Sequence, residues 1–195
     1  MIHRHQYIEK IAIRRQSATS FEQFAGHEHG WEFKPLISES AIAEFEDQHS
    51  VTLPEDYRAF IIQVGNGGVG PWYGILPFSC DGNHQLLNQP FPYNEAWNVD
   101  GLYISERGDT PEEAAYFAEA HIQGTKRISH LGCGIYAILV FTGSERGNVW
   151  IDDRVDANGV FPLRTEKRDR LTFTELFEAW LSHELPETLS PPGKV

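Results

Sequence analysis

The order of elements along this 195-residue chain predicts an α+β fold in which helices pack on a mainly antiparallel sheet of about 5–6 strands. Three observations predict it: an N-terminal helical hairpin over residues 38 to 65, a run of β-like segments separated by turn residues over 127 to 163, and a capped amphipathic helix near the C-terminus. A middle helix lies between the hairpin and the β-run. With 41% hydrophobic and 23% charged residues, the chain can bury the core of one domain.

Residues 1 to 30 are polar and His-rich without a sustained period, and read as an arm or an added edge element. The first helix starts after Ser38, whose hydroxyl can cap free N–H groups, and Glu39 suits the positive end of its dipole. Ile42, Phe45 and His49 share one of its faces. Pro54 opens the second helix, Glu55 and Asp56 fill its first turn, and Tyr57, Phe60, Ile61 and Val64 form its apolar stripe up to Gly65. "PWYGILPF" then reads as a strand. The Gly-, Pro- and Asn-rich stretch over about 79 to 110 reads as an insertion ending in a short strand at Leu102 to Ser105.

Thr110-Pro111-Glu112-Glu113 supplies a cap, a first-position proline and a capping-box glutamate for a helix through Ala120. "RISHLG", "GIYAILVFTG", "GNVWIDDR" and "GVFPL" follow as an antiparallel meander. Thr172 and Glu175 cap the last helix, whose buried stripe is Phe173, Leu176, Phe177, Trp180 and Leu181.

Sixteen Lys and Arg against 28 Asp and Glu leave a net charge of −12, which disfavours nucleic acid and anionic membranes and favours a basic partner. Only Cys80 and Cys133 are present, with no apolar leader or membrane-length run, so the expectation is a cytoplasmic chain with reduced thiols.

Two glycine patterns resemble dinucleotide fingerprints. Gly65-x-Gly67-x-x-Gly70 follows a helix instead of opening one, so Asn66, Gly67 and Gly68 read as left-handed residues turning a helix end into a strand. Gly132-x-Gly134-x-x-Ala137 does follow a strand, but "IYAILVF" reads as another strand and the required helix is missing.

No catalytic constellation stands out. His3 with His5 and His27 with His29 would share a face only on strands, and neither HExxH nor CxxC accompanies them, so no metal or cofactor is expected. Cys133, between glycines in an apolar stretch, reads as a small buried side chain. Asp152 and Asp153 point to opposite faces of a regular strand and cannot both address one substrate. Acids and aromatics suit a protein interface better. The candidate binding residues are Trp72, Tyr73, Asp81, Tyr93, Glu95, Trp97, Asp100, Glu106, Asp109, Glu112, Asp152 and Asp153.

"ISESAIAEFEDQHSVTLPEDYRAFIIQVGNGG" resembles the opening of the SUKH superfamily: a helix, Leu-Pro-x-Asp-Tyr, a second helix and Asn-Gly-Gly. "SHLGCGIYAILVFTGSERGNVWIDDR" is similar to its second block and "LTFTELFEAWL" to its terminal helix, so the resemblance covers residues 35 to 185 between a 1–34 extension and a 186–195 tail. It implies that Leu53, Pro54, Tyr57, Asn66, Gly67 and Gly68 shape a helix-to-strand corner, that Cys133 belongs to a Gly-Cys-Gly strand pair and that Trp150 packs near the meander. It also implies a non-catalytic role. Many bacterial members are similar to immunity proteins that neutralise a toxin, often a nuclease, of polymorphic or contact-dependent systems; the alternative is a regulatory scaffold like the fungal cell-wall assembly regulators.

Overall fold

Turn chemistry and β-branched runs produce the meander. In the computed structural model, which describes residues 4–79, 86–102, 104 and 110–191, β1 (Thr125–Gly132), β2 (Ile135–Val140), β3 (Val149–Asp153) and β4 (Gly159–Pro162) pair antiparallel in chain order. Gly132, Cys133 and Gly134 take φ of 106°, 50° and 87°, and this left-handed run closes the β1–β2 hairpin. The second glycine pattern is therefore a strand-to-strand turn. Cys133 sits at its tip and is exposed, not buried as expected, because a tight turn projects its side chain away from the sheet.

Four strands form among the described residues, fewer than expected. "PWYGILPF" fails as a strand because Trp72 and Gly74 turn left-handed, at φ of 53° and 90°, leaving only isolated bridges from Ile75 to Gly68 and to Ser129. Leu102 and Ile104 lie outside any strand, while Tyr103 and Ser105 fall outside the described residues.

The sheet's two faces are covered differently. Ala137, Leu139, Val149, Ile151 and Phe161 face the main core, against α3 (Glu39–His49), α4 (Glu55–Gln63) and α6 (Phe173–Leu181). Tyr57, Phe60, Phe173 and Phe177 interlock there, with ring centroids 4.8 to 5.0 Å apart. Burying each such side chain contributes about 2–3 kcal/mol. Ile138, Val140, Trp150 and Val160 form the other face, under Phe91, Tyr93, Trp97 and Ile122.

The caps at Ser38, Thr110 and Thr172 form as their sequences dictate, the last two with reciprocal Glu113 and Glu175 bonds. Pro54 is the N-cap of α4 and not its first helical residue. The middle helix α5 (Pro111–Tyr116) stops short of Ala120, and a 3₁₀ turn, Glu119–Ile122, follows.

After α4 the chain turns as the resemblance implies, with one change of mechanism. Gly67 and Gly68 are left-handed, at φ of 85° and 102°, but Asn66 is not. Its amide instead imitates a strand: Oδ1 accepts from the Phe78 N–H at 2.7 Å and Nδ2 donates to the Phe78 carbonyl at 3.0 Å. A Cβ on Gly67 would lie 2.7 Å from the Ile75 carbonyl oxygen, so this corner needs glycine for space as well as for φ.

Residues 4–29 are not an extended arm or edge. They form α1 (Arg4–Gln16) and α2 (Ser20–His29), with Tyr7 and Ile11 buried in the main core. Tyr7, Ile11 and Arg14 do recur at helical spacing, but the third member is charged, which disguises the stripe. Arg14 is buried nonetheless, over the Trp180 ring and paired with Glu22. His5, His27 and His29 are on helices, so pairs two apart diverge around the axis.

Candidate protein-interaction face

Trp97 starts the outer layer. Its backbone exchanges two 2.8 Å hydrogen bonds with Val160, which holds residues 93–98 along the free edge of β4. Its half-buried indole stacks on His121 at 3.9 Å, on Tyr93 at 5.3 Å and on Tyr116 at 5.3 Å.

The hydrogen bonds define the imidazole's tautomer. The Ala115 carbonyl, 3.0 Å from Nε2, can only accept, so Nε2 carries the proton and Nδ1 accepts from the Tyr93 hydroxyl. Burial pushes the His121 pKa down, opposed by the Ala115 hydrogen bond and reinforced by the Arg154 charge. The ring in the stack is neutral at pH 7. Burial also pushes Tyr93 up to about 12.

Arg154 clamps this layer to the sheet. Its Nε and Nη2 donate to Asp152 Oδ1 and Oδ2 at 2.6 and 2.9 Å, and Nη1 donates to the Tyr116 and Ala118 carbonyls at 3.2 and 3.0 Å. Both ions are buried, and the bidentate geometry with satisfied donors is what makes such burial tolerable. Tyr116 donates to Asn98 Oδ1 at 2.7 Å and Asn98 donates to the Ala157 carbonyl at 2.8 Å, closing a ring of bonds between α5, the insertion and the β3–β4 turn. At the other end, Arg170 reaches Glu145 Oε2 at 2.8 Å and the Asn94 carbonyl at 2.6 Å, and the same Glu145 oxygen accepts from the Trp150 indole at 3.2 Å.

The outside of this layer is acidic and carries single apolar residues. Among the described residues of 86–122, Glu95, Asp100, Glu112, Glu113 and Glu119 are accompanied by no Lys or Arg. Glu113 is consumed by its cap, and Glu95 sits 3.8 and 3.9 Å from Arg164 and Arg170; among the described residues no ion pair holds Asp100 or Glu112. Val99, Phe117 and Val155 are each about two-fifths exposed, at 42%, 40% and 39%.

The structure thus divides the predicted surface. Tyr93, Glu95, Trp97, Asp100 and Glu112 belong to this layer. Trp72 and Tyr73 lie outside it: Trp72 packs on the main core, and Tyr73, beside β1, meets Phe21 at 5.3 Å and His130 at 5.6 Å. Asp152 and Asp153 are buried and do not belong to the acidic outer layer: Asp152 is neutralised by Arg154, and Asp153 lies on the helix-covered face of the sheet. Asp81, Glu106 and Asp109 lie outside the described residues, as does Cys80.

Sequence reasoning missed His121, Tyr116, Asn98, Arg154 and Arg170. Only Arg154 left a signal: Asp152 and Arg154 are two apart at a strand end, the spacing that puts opposite charges on one face.

No curated protein and no solved structure matches the chain. A family model described as SMI1 / KNR4 family (SUKH-1) matches residues 36–183, which span α3 to the end of α6 and include both faces of the sheet. On the strength of that match and of the corner and meander it covers, the chain belongs to the SMI1 / KNR4 family (SUKH-1).

Proposed function

We propose that the protein is an immunity protein that binds a cognate toxin through its acidic outer layer and neutralises it by occlusion, without catalysis. Family membership supports the class, through the immunity-protein role that the SUKH resemblance implies. The observation that carries the proposal is that layer itself, where Asp100, Glu112 and Glu119 stand exposed beside Val99 and Phe117 on an aromatic stack locked from beneath by Arg154. A rigid acidic surface with apolar contacts suits a basic enzyme domain, since charge steers encounter and preorganisation limits the entropy cost of binding. A toxin acting on a polyanion such as nucleic acid has a cationic groove of that kind. No helix among the described residues is long and apolar enough to cross a membrane, and the cytoplasm is the proposed site of action.

The test is co-expression with a toxin encoded beside the gene, scored by growth rescue, together with affinity measured across a salt series. Asp100→Lys combined with Glu112→Lys lowers affinity at least tenfold and abolishes rescue. Unchanged rescue and affinity defeat the proposal. A second reading, a non-catalytic scaffold for several partners, draws on exposed Ile8, Ile13, Phe21 and Phe24 on α1 and α2, a surface separate from the acidic layer. Recovery of several stoichiometric partners, none of them toxic, would favour it.

A further inference from the structure

Among the described residues, Asp153 is the one buried carboxylate whose charge the fold leaves incompletely answered. It is 4% exposed; Asn158 Nδ2 donates to Oδ2 at 2.9 Å, while Oδ1 has no hydrogen-bond partner. Leaving a charged oxygen buried and unpaired is costly, so Oδ1 calls for a partner that the described residues do not supply.

Asp153 lines a cavity of about 450 Å³ on the main-core side of the sheet. Its walls are apolar, with Phe21 from α2, Trp72 from the turn after the glycine corner, and Leu131 and Ile135 from the β1–β2 hairpin. Asp156 and Glu187 add two further acids, and among the described residues no Lys, Arg or His lines the space. Its size lies in the range of small-ligand sites.

We infer that this cavity receives an arginine side chain of the protein's partner, with the guanidinium donating to Asp153 Oδ1 and lying against the ring of Trp72 or Phe21. An apolar sleeve ending in carboxylate suits a long aliphatic stem with a flat cationic head. Aromatic walls add cation–π attraction, and the planar fork can satisfy the free oxygen while reaching a second carboxylate. The inference rests on the reading that the partner is basic, and adds a second contact on the opposite side of the sheet from the acidic layer. Within the site Asp153 is the recognising group, whereas Asp156 and Glu187 supply field.

The experiment uses the full chain and a probe that requires no toxin. N-acetyl-arginine amide is titrated into ¹⁵N-labelled protein, with N-acetyl-citrulline amide as the neutral isostere. The Trp72 indole N–H and the Asn158 side-chain amide report on the site. Saturable shifts with the arginine probe and none with citrulline are expected, and Asp153→Asn weakens binding about tenfold or more. Asp156→Asn, at an exposed position, gives a smaller loss and serves if the first variant folds poorly. Absence of saturable shifts, an equal response to citrulline, or binding undiminished in both variants would overturn the inference. Failure here with toxin rescue intact removes the cavity and leaves the immunity reading standing; the reverse result removes immunity and keeps a guanidinium site.

Discussion

The two faces of the sheet end in adjacent carboxylates with opposite fates. On the helix-covered face, β3 contributes Val149 and Ile151 to a dry aromatic and aliphatic core and then presents Asp153, whose Oδ1 has no partner. On the insertion-covered face it contributes Trp150 and then Asp152, which Arg154 fully engages. The first face is held by shape and apolar area. The second is held by named polar bonds converging from segments far apart in sequence, so loss of one guanidinium should be felt throughout that layer.

The largest expected effect follows from that difference. Arg154→Ala leaves Asp152 buried without a counter-ion and frees the Tyr116 and Ala118 carbonyls, costing about 3–5 kcal/mol by denaturant unfolding. Asp152→Asn combined with Arg154→Met removes both charges and recovers most of the loss; if it recovers none, the clamp matters through geometry and not through charge balance. On the other face, Phe60→Ala gives a loss of similar rank, about 3–5 kcal/mol, from lost area plus cavity, whereas Phe60→Leu costs less. No single polar substitution on the second face should show so graded a response.

A smaller effect distinguishes the faces by pH. The folded-state pKa of His121 lies below its unfolded value, so as pH falls through about 6.5 the unfolded chain gains a proton first and stability declines. His121→Phe keeps a flat ring but cannot titrate, and part of the decline between about pH 6.5 and 5 should disappear. A decline of unchanged depth would mean that His121 is not the group responsible.

Asp153 behaves in the reverse sense. Burial raises its pKa, with the Asp156 and Asp152 charges adding to the rise and the Asn158 side chain and the Asp156 backbone opposing it through hydrogen bonding. The folded state then holds the proton more tightly than the unfolded state, so stability is greatest below the unfolded pKa and is lost as pH rises through the raised folded value. Asp153→Asn should therefore raise Tm by a few degrees at pH 7, a gap that closes below about pH 4, where both chains are neutral at this position. A fall in Tm at pH 7 would mean that an internal cation answers the carboxylate. The smallest effect is at the cap: Thr110→Ala costs about 1 kcal/mol and loosens α5 at the edge of the acidic layer, read by hydrogen exchange at Ala114 and Phe117.

Much of the scaffold was legible because its signals are short-range. Thr110 with Glu113, Thr172 with Glu175, and Ser38 before Glu39 write helix starts into three or four consecutive residues, and the meander is punctuated by its own turns. α1 was not, because a buried arginine interrupts its stripe and the groups that make this tolerable, Glu22 and Trp180, are 8 and 166 residues away. The candidate surface was legible only in part: acidity and aromatic content singled out Trp97, Asp100 and Glu112, which the fold brings into one layer, but could not tell which rings would be stacked beneath and which acids would be buried.

By itself the sequence determined the α+β class, the order of the four meander strands, the caps at Ser38, Thr110 and Thr172, the need for glycine at the corner after α4, and the opposite directions of Asp152 and Asp153, since each depends on backbone periodicity or on contacts within a few residues. Only the tertiary structure decided that Asp152 would meet a clamp reaching carbonyls 36 and 38 residues away, and that Asp153 would open onto a cavity assembled from α2, the 72-turn, the first hairpin and the C-terminal tail. Whether a buried charge is answered depends on where distant segments pack, and no local pattern carries that information.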